Sequence, residues 1–542
     1  MDNLFLIHND NSFTEIEHIT DDLKFGLDDP ANTNTVIDSN IDNYISNIFI
    51  PSIQDKEIDI LFIKDSLSKN YLDFLGLRLA YHIRLSEELG DKRFIPIVIL
   101  SDLDGYNLNK FTSLARVLFT KNIFIGENTP HTIEFYKDNL IINEDLKNNF
   151  RENFLDMIEV EAPKDYLSSH SIANEWSIYR WGKYLDIPNE DIENNISSML
   201  YFKYLMNNYP IEEADVFTPE PPAQTGKVLY IDDELRKGWK EIFEHLFSID
   251  TITFECLDEE YKYKEAHEII EFVKAKILEY DPDTVILDLR LHYDDFKEGV
   301  TTDNLTGVKV LKFIKEEINR GIQCVALTAS QDSLILEKLY EYDIVGYVKK
   351  EHPNNYKIDT KENINKVVSL VDKGLENKYL KDIWTIQEEI KALQGFTITD
   401  EADLVSELFT NSQFVFDILN GKAENKMSMA VLTIYKCFEV IVKIYINNNK
   451  FKDEIDLTSH DILVPPSTPS ISGTLWHLFN IFQIKLSIND APQLYSDTRT
   501  LHLCRKDIVH ADATNCTFTS EDIVQWFNIL KIVVTEIKNN HD

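Results

Sequence analysis

Four short apolar runs in the middle of the chain decide its fold: KVLYIDDE at 227–234, TVILDLRL at 284–291, CVALTAS at 324–330 and IVGYVKK at 344–350. Each run ends in polar residues, and stretches with helical spacing lie between them. Strands that alternate with helices form parallel sheets, and functional groups gather at the carboxyl ends of their strands. The pattern therefore predicts a parallel α/β domain over residues 227–358.

Polar side chains stand at the carboxyl ends of these predicted strands. The predicted domain has five strands, with one more between the first and second runs; Asp232 and Asp233 end the first strand, Asp288 the third, Thr328 the fourth and Lys350 the fifth. Phosphoryl transfer onto a carboxylate requires a nucleophilic aspartate, a divalent ion and a further cation, and these side chains could supply or bind all three. Acidic residues at strand ends can also simply cap helices, which is the alternative interpretation of any one of them.

The set YIDDE, ILDLRL, ALTAS and GYVKK resembles the receiver domain of two-component response regulators. The resemblance implies a flavodoxin-like doubly wound sheet in which Asp288 accepts the phosphoryl group. It also implies a Mg²⁺ site made by Asp232, Asp233, Asp288 and the Arg290 carbonyl. The partner would be a histidine kinase or a phosphotransfer protein.

The same resemblance implies roles for three further residues in switching. Thr328 would be the switch hydroxyl, Tyr347 the coupled aromatic and Lys350 the contact to the phosphoryl group. Lys349 is the alternative lysine, although the spacing from Gly346 favours Lys350. Glu351 stands where receivers have proline, and the acidic loop after the acceptor is long. Receivers can also hold this geometry while they are regulated by something other than phosphate.

The N-terminal part repeats the order of apolar runs, with LFLIHND at 4–10, IDILFIKD at 58–65 and IPIVILSD at 95–102. Alignment of the two halves places His8 and Asn9 at the positions of Asp232 and Asp233, and Lys64 at that of Asp288. A shift by one residue would put Asp65 there instead. In either register the acid pair is missing, so residues 1–135 are predicted to be a degenerate receiver.

The remaining segments are assigned from periodicity and composition. Polar, helical-looking sequence predicts a helical connector over 136–216, and three prolines within FTPEPPAQTG predict a linker over 217–226. Apolar spacing predicts one long connecting helix over 359–395 and an all-α domain over 396–542. Ser520 is the predicted N-cap of the last helix. The fold class is thus multidomain, with two α/β parts and a helical C-terminal part.

The segment LHLCRKDIVHAD at 501–512 places Arg505 and His510 five positions apart near a helix end. A guanidinium and an imidazole suit metal-independent RNA cleavage, because one steadies the phosphate and the other transfers protons. The surrounding helices resemble the HEPN family, whose members include ribonucleases that act as dimers. The resemblance implies that Arg505 and His510 are catalytic and that Glu439 orients them.

This helical domain departs from the family at Lys506 and Ala511. The alternative is a structural Arg and His that cap carbonyls and pair with Asp507 or Asp512. The enzyme assignment therefore stays open between an endoribonuclease and no enzyme.

Composition limits the classes of function. A chain of 542 residues predicts three or four domains, and a net charge of −39 disfavours loose binding to nucleic acid or anionic membranes. The absence of a long apolar run and of a signal peptide predicts a cytoplasmic protein that does not enter the membrane. The scattered spacing of the five cysteines predicts reduced thiols and no zinc site.

Two functions fit these features. In the first, phosphorylation of Asp288 drives pairing of the helical domains as a homodimer and switches on cleavage of RNA, in stress response or phage defence. In the second, the chain is a non-enzymatic adaptor whose receivers and inert helical domain assemble a signalling complex. DNA-binding transcriptional control fits poorly, because no basic recognition helix is evident.

Overall fold

The computed structural model describes most of the chain. The described residues are 3–9, 19–24, 38–68, 70–163, 169–188, 191–192, 196–257, 264–297, 299–329, 338–354, 359–398, 401–447, 475, 478, 481–488, 491–510 and 516–540. The chain divides into two compact units. The first comprises Met1–Pro219, Glu234–His245 and Lys349–Asn365, and the second comprises Glu220–Asp233, Leu246–Val348 and Lys366–Asp542.

A five-stranded parallel sheet forms the centre of the first unit. Its strands are β1 (Leu4–His8), β2 (Asp21–Lys24), β3 (Ile60–Lys64), β4 (Ile97–Leu100) and β5 (Ile123–Gly126), in the order β2-β1-β3-β4-β5. The central strands are continuous apolar runs because helices cover both faces of a parallel sheet. The edge strand β2, DDLK, is largely exposed and polar, which is why no apolar run announces it.

Helices of the first unit lie between and after these strands. They are α1 (Asp38–Tyr44), α2 (Ile50–Gln54), α3 (Leu75–Leu85), α4 (Gly105–Phe111), α5 (Pro130–Asn139), α6 (Phe150–Asn153), α7 (Ser169–Tyr184) and α8 (Leu200–Asn208). Ile45–Phe49 forms a π-helical turn between α1 and α2. Trp176 of α7 and Phe202 of α8 belong to the same buried core as Phe5 and Ile63 of the sheet. The predicted connector therefore shares a core with the first sheet.

The second parallel sheet contains the four apolar runs at 227–234, 284–291, 324–330 and 344–350. Its strands are β6 (Gly226–Ile231), β7 (Ile252–Cys256), β8 (Thr284–Asp288), β9 (Gln323–Thr328) and β10 (Gly346–Lys349), in the order β10-β9-β8-β6-β7. The helices α9 (Trp239–Phe247), α10 (Ala266–Tyr280) and α11 (Thr306–Phe313) connect them. Both sheets have the flavodoxin-like order, which confirms the predicted fold class.

The C-terminal region is helical, as predicted. Its helices are α12 (Thr360–Glu376), α13 (Tyr379–Ala392), α14 (Ala402–Asn420), α15 (Lys426–Asn447), α16 (Ala491–His510) and α17 (Ser520–Asn539). One buried core is shared by the five helices α13 through α17. It includes Ile383, Phe416, Phe438 and Trp526. Among the helices of the described residues, none combines the length and apolar character that a membrane span requires.

Two details of this region differ from the sequence analysis. The long helix predicted over 359–395 is interrupted at Asn377, where the amide N–H of Lys378 bonds to the carbonyl of Leu375, three residues back. Gly374 and Asn377 are weak helix formers just before this tightened turn. The N-cap of α17 is Thr519 rather than Ser520, because Thr519 and Asp522 form a capping box.

Candidate metal and phosphoacceptor site

Three carboxylates meet at the carboxyl edge of the second sheet. Strand β6 pairs with β8 so that Ile231 lies beside Leu287, and the residues that follow are Asp232 and Asp288. Oxygen atoms of Asp232, Asp233 and Asp288 all lie within 4.8 Å of one another. The strand register thus brings together the acidic residues that the sequence analysis had selected.

Burial makes this acidic cluster a strong candidate for a cation. Asp232 and Asp288 are fully buried, and Asp233 is partly buried. The Tyr230 hydroxyl donates to Oδ2 of Asp232 at 2.7 Å, and burial together with the Asp232 carboxylate raises the pKa of Tyr230. Like charges held this close in a dry site favour a bound cation, and carboxylate oxygens are suitable ligands for Mg²⁺. The residues present therefore fit a divalent metal ion.

Arg290 lies in the turn after β8, and Thr328 ends the neighbouring strand β9. The backbone N–H of Arg290 donates to Oδ1 of Asp288 at 3.1 Å, which fixes the turn after β8. Asp288 pairs with Leu327 in the register of β8 and β9, so Thr328 comes one position beyond it at the end of β9. Thr328 is buried.

The two remaining predicted switch residues lie in and just after β10. Tyr347 is within the strand, with the Lys366 ammonium 4.9 Å from the centroid of its ring. Lys350 follows the strand directly and is buried, and its ammonium lies 5.2 Å from the centroid of the Trp239 ring. Lys349 is the last residue of the strand and is partly exposed.

The long loop after Asp288 is organised by one of its own acidic residues. Oδ2 of Asp295 accepts from the backbone N–H groups of Leu291 and His292, at 3.1 and 3.2 Å. Its Oδ1 accepts from both the backbone and the hydroxyl of Thr306, each at 3.0 Å. Burial raises the pKa of Asp295 although these hydrogen bonds oppose the shift. Asp295 therefore holds the loop against the start of α11.

Glu351, at the position where receivers have proline, binds helix α7. Its Oε1 accepts from Trp181 Nε1 at 2.8 Å, and its Oε2 accepts from Arg180 Nε at 3.1 Å and from the Thr360 hydroxyl at 2.8 Å. The backbone of Glu351 bonds to the Ser177 hydroxyl. We call these contacts the Glu351 clamp, and they give α7 a structural role that the sequence did not predict. Glu351 directly follows Lys350 in the chain.

The predicted ribonuclease residues are only partly described. Nη2 of Arg505 on α16 lies 3.6 Å from Oε1 of Glu439 on α15. The guanidinium carbon of Arg505 is 5.3 Å from the centroid of the Tyr435 ring. His510 is the last residue of α16, and its side chain and Ala511 lie outside the described residues. The structure therefore brings Arg505 and Glu439 together and leaves the position of the His510 imidazole as a prediction.

Two features near Arg505 were missed from the sequence. His502, one turn earlier on α16, is buried and lies 2.7 Å from the Tyr435 hydroxyl through Nδ1. Burial, together with Arg505 and Lys506, lowers the pKa of His502. Cys504 and Cys516 form a disulfide, so the prediction of reduced thiols is wrong for this pair, whereas Cys324 and Cys437 are free.

The register of the first sheet shows what replaces the acidic cluster there. Ile7 pairs with Ile63 as Ile231 pairs with Leu287, so His8 corresponds to Asp232 and Lys64 to Asp288. A Cβ on Gly76 would lie 2.0 Å from the Lys64 carbonyl oxygen, just as one on Gly307 would lie 2.1 Å from that of Asp288. This equivalence excludes the alternative register with Asp65 at the acceptor position.

The substituted edge of the first sheet is held by its own side chains. Lys64 Nζ donates to Oδ1 of Asn9 at 3.1 Å, and His8 Nε2 lies 2.8 Å from Oδ2 of Asp22. Ser101 comes at the position of Thr328, and its hydroxyl donates to Asp65 at 2.5 Å. No carboxylate stands at the acceptor position, so this edge cannot form an aspartyl phosphate.

Comparison with known families agrees with this geometry. Residues 10–126 match the family described as Inactive Receiver domain, iREC. No curated protein matches the chain. The family match confirms the prediction of an inactive receiver in the N-terminal part, where a lysine takes the place of the phosphoacceptor aspartate.

Proposed function

We propose that the chain is a signalling adaptor in which the second sheet accepts a phosphoryl group on Asp288 and the first sheet is an inert receiver. The observation that carries this proposal is the cluster of three carboxylates whose oxygens lie within 4.8 Å of one another at the ends of β6 and β8. The inert receiver and the helical region would then serve as binding surfaces for partner proteins.

In the proposed reaction a carboxylate oxygen of Asp288 attacks the phosphorus atom of a phosphohistidine on a kinase or phosphotransfer protein. The new O–P bond forms as the P–N bond breaks, and the imidazole of the donor keeps the electron pair and takes up a proton. Mg²⁺ held by Asp232, Asp233, Asp288 and the Arg290 carbonyl would neutralise the charge on the phosphoryl oxygens. The Thr328 hydroxyl and the Lys350 ammonium would bind the remaining oxygens.

An adaptor agrees better with the molecule than a nuclease does. The family match over residues 10–126 is to an inactive receiver, and the acidic composition disfavours RNA as a ligand. Two receiver-like sheets in one chain, one inert and one with the acidic cluster, suit a protein that docks partners in response to phosphorylation. The helical regions of two copies of the chain would pair as a homodimer.

Phosphorylation can be tested with acetyl phosphate and Mg²⁺ followed by intact-mass measurement of the full-length protein. We expect one phosphoryl adduct on the wild-type protein and none on Asp288→Asn, since that variant lacks the nucleophile. Asp65→Asn is the matched control, because Asp65 occupies the neighbouring position of the first sheet, and it should label normally. Labelling of Asp288→Asn, or no labelling of the wild type, would contradict the proposal.

Cleavage of RNA by the helical region is the second candidate. The 3.6 Å contact between Arg505 and Glu439 supports it, because the HEPN resemblance assigns Glu439 to orienting the catalytic pair. A mixed RNA pool would be incubated with wild-type and His510→Ala protein, with and without Mg²⁺ and beryllofluoride. The adaptor predicts no cleavage by either protein, whereas cleavage that requires His510 would favour the nuclease.

A further inference from the structure

A cavity of about 470 Å³ in the second unit is lined by three lysines. Lys373 lies on α12, and Lys422 and Lys426 lie at the turn from α14 into α15. Its other lining residues include Tyr340, Asn377 and Asn420. We call this site the lysine cavity. Its volume lies within the range of about 300 to 1,000 Å³ that is typical of small-molecule sites.

The three lysines of this cavity are not held in ion pairs among the described residues. Within the part of the chain that the structure describes, none of the three makes an ion pair with a carboxylate, although the chain has 93 acidic and only 54 basic residues. The acidic lining residue Asp343 is engaged by Arg320, with its Oδ2 2.8 Å from Nε. The cavity is therefore a local positive site in a strongly acidic protein, which favours an anionic ligand.

The start of α15 adds to this positive field. Lys426 is the first residue of a helix that continues to Asn447, and the backbone N–H groups at a helix N-terminus favour anions. Partial burial lowers the pKa of Lys426, Glu376 opposes this shift, and Lys373 adds a smaller lowering effect. A multivalent anion in the cavity could contact Lys373 and Lys426 together, because both side chains line it.

Polar and aromatic groups at the same cavity indicate what else the anion carries. The Tyr340 side chain is 51% exposed, and the Lys422 ammonium lies 5.7 Å from the centroid of its ring. A half-exposed aromatic ring can stack on a planar base, and asparagine amides can donate to and accept from the edge of that base. Lysines are effective point charges for phosphate oxygens.

We propose that the lysine cavity binds a nucleoside polyphosphate, with the phosphates on Lys373, Lys422 and Lys426 and the base against Tyr340. The site differs from the phosphoacceptor in residues and in chemistry, since it uses cations and no acidic cluster. It adds an allosteric input to the proposed adaptor at the segment that leads into β10.

Isothermal titration of the full-length protein with ATP tests this proposal, in buffer with EDTA so that the acidic cluster holds no metal. We expect the wild type to bind ATP and the double variant Lys373→Ala/Lys426→Ala to have a Kd at least about tenfold higher, because each lysine supplies a charge-assisted contact. The matched control is Lys443→Ala/Lys538→Ala, which removes two lysines outside the cavity and should bind as the wild type does.

A second titration with inorganic tripolyphosphate separates the phosphates from the base. Tyr340→Leu should raise the Kd for ATP and leave the Kd for tripolyphosphate unchanged. Equal affinity of the wild type for the two ligands would overturn the assignment of a nucleoside. Absence of binding for both ligands, or equal ATP affinity in the lysine variant and its control, would overturn the site itself.

Discussion

His82 is a fully buried imidazole whose ionisation should make the first unit sensitive to acid. Its Nε2 lies 2.7 Å from Oδ1 of Asp42, and Arg78 donates one hydrogen bond to each carboxylate oxygen of Asp42. Burial lowers the pKa of His82 to about 4, although Asp42 opposes the shift. The imidazole is therefore neutral in the folded protein at pH 7. Its N–H group donates a hydrogen bond to the Asp42 carboxylate, whose charge Arg78 already neutralises.

The pH dependence follows from the difference between folded and unfolded states. Between pH 6.5 and pH 4 the unfolded chain takes up a proton at His82 that the folded protein does not, so stability falls as the pH falls through this range. His82→Gln keeps an N–H donor but cannot titrate, so its free energy of unfolding should change less between pH 7 and pH 4.5. Urea unfolding at both pH values measures this difference.

His131 provides the control for this prediction. Its side chain is 88% exposed and lies 3.9 Å from Glu134. His131→Gln should therefore show the same pH dependence as the wild type. A slope that is equally steep in His82→Gln and in the wild type would mean that other groups cause the acid sensitivity.

At the scale of elements, helix α7 binds the segment after β10 through a buried ion pair. Glu351 and Arg180 have side-chain exposures of only 4% and 15%, so truncation of Glu351 leaves a guanidinium with little access to water. Removal of one member of such a pair costs about 3 to 5 kcal/mol. Glu351→Ala should therefore lower the Tm and alter the fluorescence of Trp181, whose indole N–H loses its acceptor.

The control for this prediction is Glu57, which is exposed and also belongs to the first unit. Glu57→Ala should change the free energy of unfolding by no more than about 0.5 kcal/mol, as is usual for surface substitutions. Equal effects of the two alanine variants would show that the Glu351 clamp does not stabilise the unit.

The clamp also illustrates which elements a sequence reveals. Strands β6, β8 and β9 are apolar runs with their functional residues at the ends, so local sequence was sufficient to predict them. Glu351 and Trp181 are 170 residues apart, and their hydrogen bond has no local signal. The edge strand β2 is polar because one side of it lacks a neighbour, so apolar patterning could not identify it.

At the scale of the whole molecule, two sheets with one topology carry different side chains at their carboxyl edges. The equivalence of Lys64 with Asp288 could be predicted, because strand ends and register are encoded locally in both copies. The lysine cavity could not, since α12, the segment before β10 and the start of α15 meet only through tertiary packing. The break at Asn377 was also missed, because the apolar spacing of the sequence continues through it.

The acidic cluster should link metal binding to the stability of the protein. In the absence of metal, the three carboxylates repel one another, and two like charges about 4 Å apart cost on the order of 4 kcal/mol at an effective dielectric constant of about 20. Mg²⁺ should raise the Tm of the wild type, since a ligand at 100 times its Kd stabilises the folded state by about 2.7 kcal/mol.

Asp233→Asn should stabilise the metal-free protein and weaken the stabilisation by Mg²⁺, because it removes one of the repelling charges and one metal ligand together. In EDTA its Tm should be higher than that of the wild type, and added Mg²⁺ should raise it little further. Asp250→Asn, an exposed site of the second unit, should have the Tm and the Mg²⁺ response of the wild type. Thermal unfolding of the three proteins with EDTA and with Mg²⁺ decides the matter. A variant at Asp233 that is less stable in EDTA and still responds to Mg²⁺ would show that this carboxylate is a structural group and not a metal ligand.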